Sequence, residues 1–304
     1  MYITGVIAVL PTPFRAGGDV DASSLARLVD AAVDAGVQGL SVLGGAGEAS
    51  RLTERERLTV ADTVISHSAG RVQVLVETSA DGLRPCLDFS RQVKTLGAAG
   101  VIISPPRALR LSIESVVAHY RAVAEALDLP IVVLDAPSQC GLSMDAALLV
   151  RIAREVPAAR TIRLEDAPTS IKIARIHAAA GETRIEVFGG QGGLFLIEDL
   201  MAGAAGVMSA FAYPEALTRV VALFRADLVD EATDLFHRVV PLMRYENQDG
   251  IGTAVRKEML RRRGLFADAS IRAPGVVLDD RARAAIAELI FRVAARDGAA
   301  WLAG

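Results

Sequence analysis

The stretch ARTIRLEDAPTSIKI, residues 159–173, reads as a short buried strand that ends in a charged turn and runs into a helix. Working outward from it, the same kind of apolar run recurs along the chain. GVIAVL (5–10), GLSVL (39–43), VQVLVE (72–77), AGVIIS (99–104) and PIVVLD (130–135) precede it, and RIEVFG (184–189) and AGVMS (205–209) follow. Helical patterns separate them. DASSLARLVDAAVDAG (21–36) opens on an Asp cap and stops at glycine, TERERLTVADTVISH (53–67) opens on a capping box of Thr53 and Glu56, and SMDAALLVRIAREV (143–156) starts at Ser143.

Strands that are apolar throughout belong to parallel sheets covered by helices, and eight of them, each with a helix, predict a closed (β/α)8 TIM barrel. A doubly wound open sheet is the other topology that this alternation permits. No strand pattern follows AGVMS, so residues 1–212 are expected to form the barrel and 213–304 a helical extension.

Composition narrows the class. Of 304 residues, 52% are apolar and 23% charged, which fits a globular protein, and a net charge of -3 gives no electrostatic reason to expect nucleic acid. RRRG (261–264) reads as a helix end closed by glycine. No apolar run reaches the roughly 20 residues of a membrane span, and MYITGVIAVLPTPF carries no basic leader, so a cytoplasmic chain is expected. Cys86 and Cys140 read as buried or loop thiols, and the four scattered histidines offer no ligand spacing. Neither a metal nor a cofactor is expected.

A barrel of this kind works at the C-terminal ends of its strands. There LGGAGE (43–48) leaves backbone N–H groups free to converge on an anion, and GGQGG (189–193) has the same character; close backbone packing is the competing reading of both. Arg163 stands on an otherwise apolar strand, and Glu165, two residues on, shares its face. That pair is either an ion pair or a clamp for a ligand carboxylate.

With these stretches in order, the chain resembles the dihydrodipicolinate synthase and N-acetylneuraminate lyase family over nearly its whole length. GVIAVLPTPF, LGGAGEASRLTERER, PIVVLDAP, FGGQGG, AGVMSAFAYPE and RKEMLRRRG carry the likeness. The resemblance implies a barrel with a C-terminal helical extension, a homo-oligomer (dimer or tetramer), and a 2-keto acid bound as an imine on a lysine of the sixth strand. It places that lysine at Arg163, the carboxylate loop at Gly44, Gly45, Ala46, Gly47 and Glu48, and a proton-relaying tyrosine at Leu134, with Asp135 following. A substrate arginine falls at Gln139, and a tyrosine lent across the dimer falls near Arg107. Gly190 lies in the glycine loop after the seventh strand.

Most of those polar groups differ here. A guanidinium stays protonated and has no lone pair for attack on a carbonyl, so imine chemistry at residue 163 is excluded. Of the 33 basic residues, only Lys94, Lys172 and Lys257 are lysines, and all fall in helix patterns, where Lys172 reads as a solvated helix lysine. Two functions follow, and an ordinary family aldolase, with the sixth-strand register shifted and Lys172 as its imine lysine, ranks behind both. One is a lyase or aldolase-type enzyme that binds a keto acid or related carboxylate, with Arg163 holding substrate and Glu165, Glu48 or Asp135 moving protons. The other is a non-catalytic keto acid binder, a pseudoenzyme. The loop SPPRALRL (104–111) and the helices beyond Tyr213 are expected to join subunits.

Overall fold

The computed structural model describes residues 3–107 and 111–297. Residues 108–110 of the SPPRALRL loop lie outside the described residues. Eight strands form, β1 Gly5–Val9, β2 Gly39–Val42, β3 Gln73–Glu77, β4 Gly100–Ile103, β5 Ile131–Asp135, β6 Thr161–Leu164, β7 Glu186–Gly189 and β8 Gly206–Ser209. Their order is that of a closed barrel, β1 through β8, which rules out the open sheet. The β1–β2 ladder and the ladders running from β3 through β8 are parallel. Burial on both faces explains the uninterrupted apolar runs: Val101, Ile102 and Ile103 are consecutive on β4 and none has exposed surface.

The helices are α1 Ala22–Asp34, α2 Glu54–Ser68, α3 Leu83–Leu96, α4 Ile113–Leu127, the short α5 Pro137–Cys140, α6 Ala146–Glu155, α7 Thr169–Ala180 and α8 Leu196–Met201. After β8 come α9 Pro214–Arg225, α10 Val229–Glu246, α11 Gly252–Arg262 and α12 Asp280–Asp297. Local signals start and stop several of them. The Asp21 carboxylate accepts from the Ser23 and Ser24 N–H groups at the start of α1, and Thr53 and Glu56 close a reciprocal box on α2. Gly264, at φ 72°, follows α11. α6 departs from the expected start at Ser143. Asp145 caps it through the Leu148 N–H, because the Ser143 hydroxyl is turned away to Asp166.

By contact the chain divides into two compact units. One comprises the segment before Val6 and Gln73–Met208; the other comprises Val6–Val72 and the chain from Ser209 on, so the helices after β8 group with β1 and β2. In the first unit, Gly206 at φ 153° approaches the Gly5 backbone so closely that a Cβ would overlap the Gly5 carbonyl. Among the described residues no helix is long and apolar enough to cross a membrane.

Candidate active site

Within the first unit, the β5–β6 ladder pairs Leu134 with Arg163 and Asp135 with Leu164, and the β6–β7 ladder pairs Arg163 with Phe188 and Leu164 with Gly189. Strand alternation then sorts the side chains: Leu134, Arg163 and Phe188 on one face, Asp135 and Leu164 on the other. Beyond the strands the ladder continues, with the Glu165 N–H donating to the Asp135 carbonyl at 2.8 Å and the Gly190 N–H to Leu164 at 2.9 Å.

On the first face Arg163 Nε and Nη2 both donate to Glu165 Oε1, at 2.9 and 2.6 Å. The other carboxylate oxygen accepts from the Gln191 backbone N–H at 2.6 Å, and the Gln191 side-chain amide donates to the Glu165 carbonyl. Among the described residues nothing bonds to Arg163 Nη1. Gly190 is glycine for a visible reason, since a Cβ there would lie 2.5 Å from Glu165 Oε1 and 2.7 Å from Oε2. Both side chains are mostly enclosed, at 12% and 14% exposure, so the pair sits in a setting that screens charge poorly.

The opposite face carries a second charged group. Lys172, from the first turn of α7, places Nζ 2.5 Å from Asp135 Oδ2 and 2.7 Å from Asp166 Oδ2, with its side chain 12% exposed. It is therefore not the solvated lysine that its helix pattern suggested: two carboxylates draw it inward. Asp135 also accepts from the Met144 N–H and has no exposed surface; burial raises its pKa against the opposing pull of Lys172. Burial pushes Asp166 up as well, but bonds from Lys172 and Ser143 outweigh it and hold that carboxyl below its usual value.

In the second unit, Leu43 (φ 66°) leads from β2 into a 3₁₀ turn over Gly45–Gly47. The Gly47 and Glu48 N–H groups close this turn on Gly44 and Gly45, which leaves the first two, Gly45 and Ala46, outside that bonding. The Thr12 hydroxyl anchors the Gly47 carbonyl at 2.7 Å. Glu48 is 3% exposed and is engaged by Lys257 Nζ at 2.5 Å, Arg51 Nη1 at 2.9 Å and the Arg272 N–H at 3.1 Å.

The fold thus gathers Arg163, Glu165 and Gly190, with Leu134 opposite Arg163. Asp135 belongs to the other face. Gln139 is exposed on α5, and Arg107 is exposed and paired with Asp81 at 3.1 Å. Three participants went unassigned in the sequence: Gln191, Lys172 and Lys257. Gln191 is the single residue of GGQGG with a polar side chain, and it grips Glu165 through both its N–H and its amide.

A parallel eight-stranded barrel with enclosed charges where its strands end is the architecture of barrel enzymes. The chain belongs to the dihydrodipicolinate synthetase family, which matches residues 2–292. It is 31% identical over 293 residues to an L-2-keto-3-deoxyarabonate dehydratase from Azospirillum brasilense, covering 95% of this chain and 94% of that one. To a 4-hydroxy-tetrahydrodipicolinate synthase from Pelobacter propionicus it is 34% identical over 234 residues, covering 76% and 79%. The solved dihydrodipicolinate synthase of Rhodopseudomonas palustris matches it with a TM-score of 0.91 at 35% identity, covering 95% and 97%.

Proposed function

We propose that this chain is a lyase that handles a 2-keto acid or related carboxylate without forming an imine, with Arg163 and Glu165 as its working pair. One observation carries the reading: β6 ends in a guanidinium bonded to a carboxylate, while the three lysines stand on α3, α7 and α11. The relatives named as a keto-deoxy-sugar-acid dehydratase and as tetrahydrodipicolinate synthases support the substrate class.

Arg163 offers Nη1 to the carbonyl or carboxylate oxygen of the ligand. If the ligand also takes Nε or Nη2, Glu165 loses bonds and becomes available to accept a proton from the carbon next to the carbonyl. The electron pair of that C–H bond moves into an enolate, whose oxygen faces the fixed positive charge of Arg163. Proton transfer by a positioned carboxylate contributes about 10²- to 10⁴-fold, and placed charge in an enclosed site adds to it. The Gly45 and Ala46 N–H groups are a proposed anion subsite in their own unit. We extend the proposal to a cytoplasmic homo-oligomer, to be checked by light scattering.

A non-catalytic keto acid binder is the competing reading. It is favoured by Leu134, which offers no hydroxyl opposite Arg163, and by the engagement of both Glu165 oxygens. Solvent exchange separates the two. In heavy water the enzyme should speed exchange of the pyruvate methyl protons, Glu165→Gln should slow that exchange, and Glu288→Gln, on the exposed face of α12, should not. Pyruvate that binds without any exchange above background would replace the lyase with the binder.

A further inference from the structure

We propose that Lys257 is a positioning residue: acting through Glu48, it holds the Gly44–Gly47 turn in the conformation that presents the Gly45 and Ala46 N–H groups. The inference rests on the function proposed above only in naming a keto acid carboxylate as the ligand of that turn.

Lys257 comes from α11 and has no exposed surface. Its Nζ lies 2.5 Å from Glu48 Oε1, donates to the Ser270 carbonyl at 2.9 Å, and stands 4.1 Å from the centre of the Phe14 ring. Glu48 needs such a hold. It is a non-glycine residue at φ 55°, its carboxylate is buried, and it directly follows the turn. Arg272 braces the same ring, its guanidinium 4.5 Å from the Phe14 centre, while its Nη1 bonds Glu56 at 2.7 Å and its N–H bonds Glu48.

The charged groups facing Lys257 are Glu48 and Arg51 after β2 and Arg272 from the segment after α11, with Glu56 of α2 behind Arg272. Its own helix neighbours are occupied elsewhere, Arg256 on Glu246 and Glu258 on Arg261 and Arg262. Burial pushes the Lys257 ammonium down to about 8, against the pull of Glu48. A buried amine held this way contributes little to stability that a well-packed apolar side chain would not supply. What an apolar side chain cannot do is bind Glu48.

The test uses the full chain as wild type, Lys257→Met and Lys257→Arg. Two quantities are read: amide hydrogen exchange of residues 43–48, and the Kd of pyruvate below and above pH 8. Lys257→Met should exchange at 43–48 about 10-fold faster and bind pyruvate about 10-fold more weakly with a flat pH profile, since small misplacements of a binding group are costly. Wild-type affinity should fall as pH rises past the Lys257 pKa, and Lys257→Arg should keep much of the loop protection. Unchanged exchange and unchanged Kd in Lys257→Met overturn the proposal, as does reductive trapping of pyruvate on Lys257 itself. If Lys257→Met does not fold, Glu48→Gln replaces it, with the same loosening expected and an unaltered turn overturning the idea. If wild type binds no pyruvate, the function proposed above falls, and the exchange measurement alone upholds or overturns the positioning role.

Discussion

Leu134 and Arg163 face each other as register partners across the β5–β6 ladder. These are the positions at which the family resemblance puts a tyrosine and an imine-forming lysine, and the proposed function turns on that placement. Leucine offers no polar atom there, and the bonded partner of Arg163 on that face is Glu165.

Imine trapping follows from that pairing. Wild type incubated with pyruvate and borohydride should keep its unmodified intact mass, because a guanidinium has no free electron pair to offer. Arg163→Lys should not regain full activity, since Leu134 still lacks a hydroxyl. A reduced pyruvate adduct on wild type would defeat the claim, and its position would identify the reacting lysine.

The space left by Gly190 can be tested by filling it. Gly190→Ala drives a methyl group into the Glu165 carboxylate, so either Glu165 leaves Arg163 or β7 shifts. Overpacking of this kind costs about 1–3 kcal/mol in urea unfolding. Gly17→Ala is the control, because a Cβ there meets nothing within 4 Å, and it should stay within about 0.5 kcal/mol of wild type. Equal stability of the two variants would show that Glu165 is not held against Gly190.

Lys172→Met removes the cation between Asp135 and Asp166 and leaves Asp135 charged and fully buried, with the Met144 N–H as its hydrogen-bond donor and the Asp166 carboxylate nearby. Breaking a buried pair from one side costs about 3–5 kcal/mol at neutral pH. The pH dependence has a definite sign. Asp135 already has a raised pKa, and loss of Lys172 raises it further, so the folded variant takes up a proton at higher pH than the unfolded chain does. Its deficit against wild type should therefore be largest near neutrality and shrink as pH falls through the folded Asp135 pKa. A deficit that does not vary with pH would mean that Asp135 is not the group left unpaired.

The sequence was legible wherever the signal was local. Short apolar runs rich in Val, Ile and Leu located all eight strands, and the Thr53–Glu56 box and the Asp21 cap set helix starts, because each needs only neighbours in the chain. The pairing of Arg163 with Glu165 was legible for the same reason, two residues apart on one strand. Ser143 misled because two capping residues compete within three positions, and a distant carboxylate, Asp166, decides between them. Lys172 and Lys257 were illegible as buried groups. Their helices look amphipathic and ordinary, and the anions that draw them inward, Asp135 at the end of β5 and Glu48 after the Gly45–Gly47 turn, lie where no helical periodicity reveals them.

Lys257 leaves a signature in stability as well as in the turn it holds. The unfolded chain keeps its lysine protonated up to the ordinary value of 10.5, whereas the folded one releases the proton near 8. Between those values the unfolded state binds more protons, so this residue makes folding more favourable as pH rises. Tyr213 adds a pH dependence that overlaps the top of this range, since burial pushes it from its ordinary 10.0 up to about 12, so wild type alone does not isolate the effect. The difference between wild type and Lys257→Met does, because the shared groups cancel. That difference in melting temperature should move in favour of wild type between pH 8 and 10.5 and stay flat below pH 8. A difference that moves the other way across this window would mean that Glu48 holds Lys257 protonated more strongly than burial opposes it.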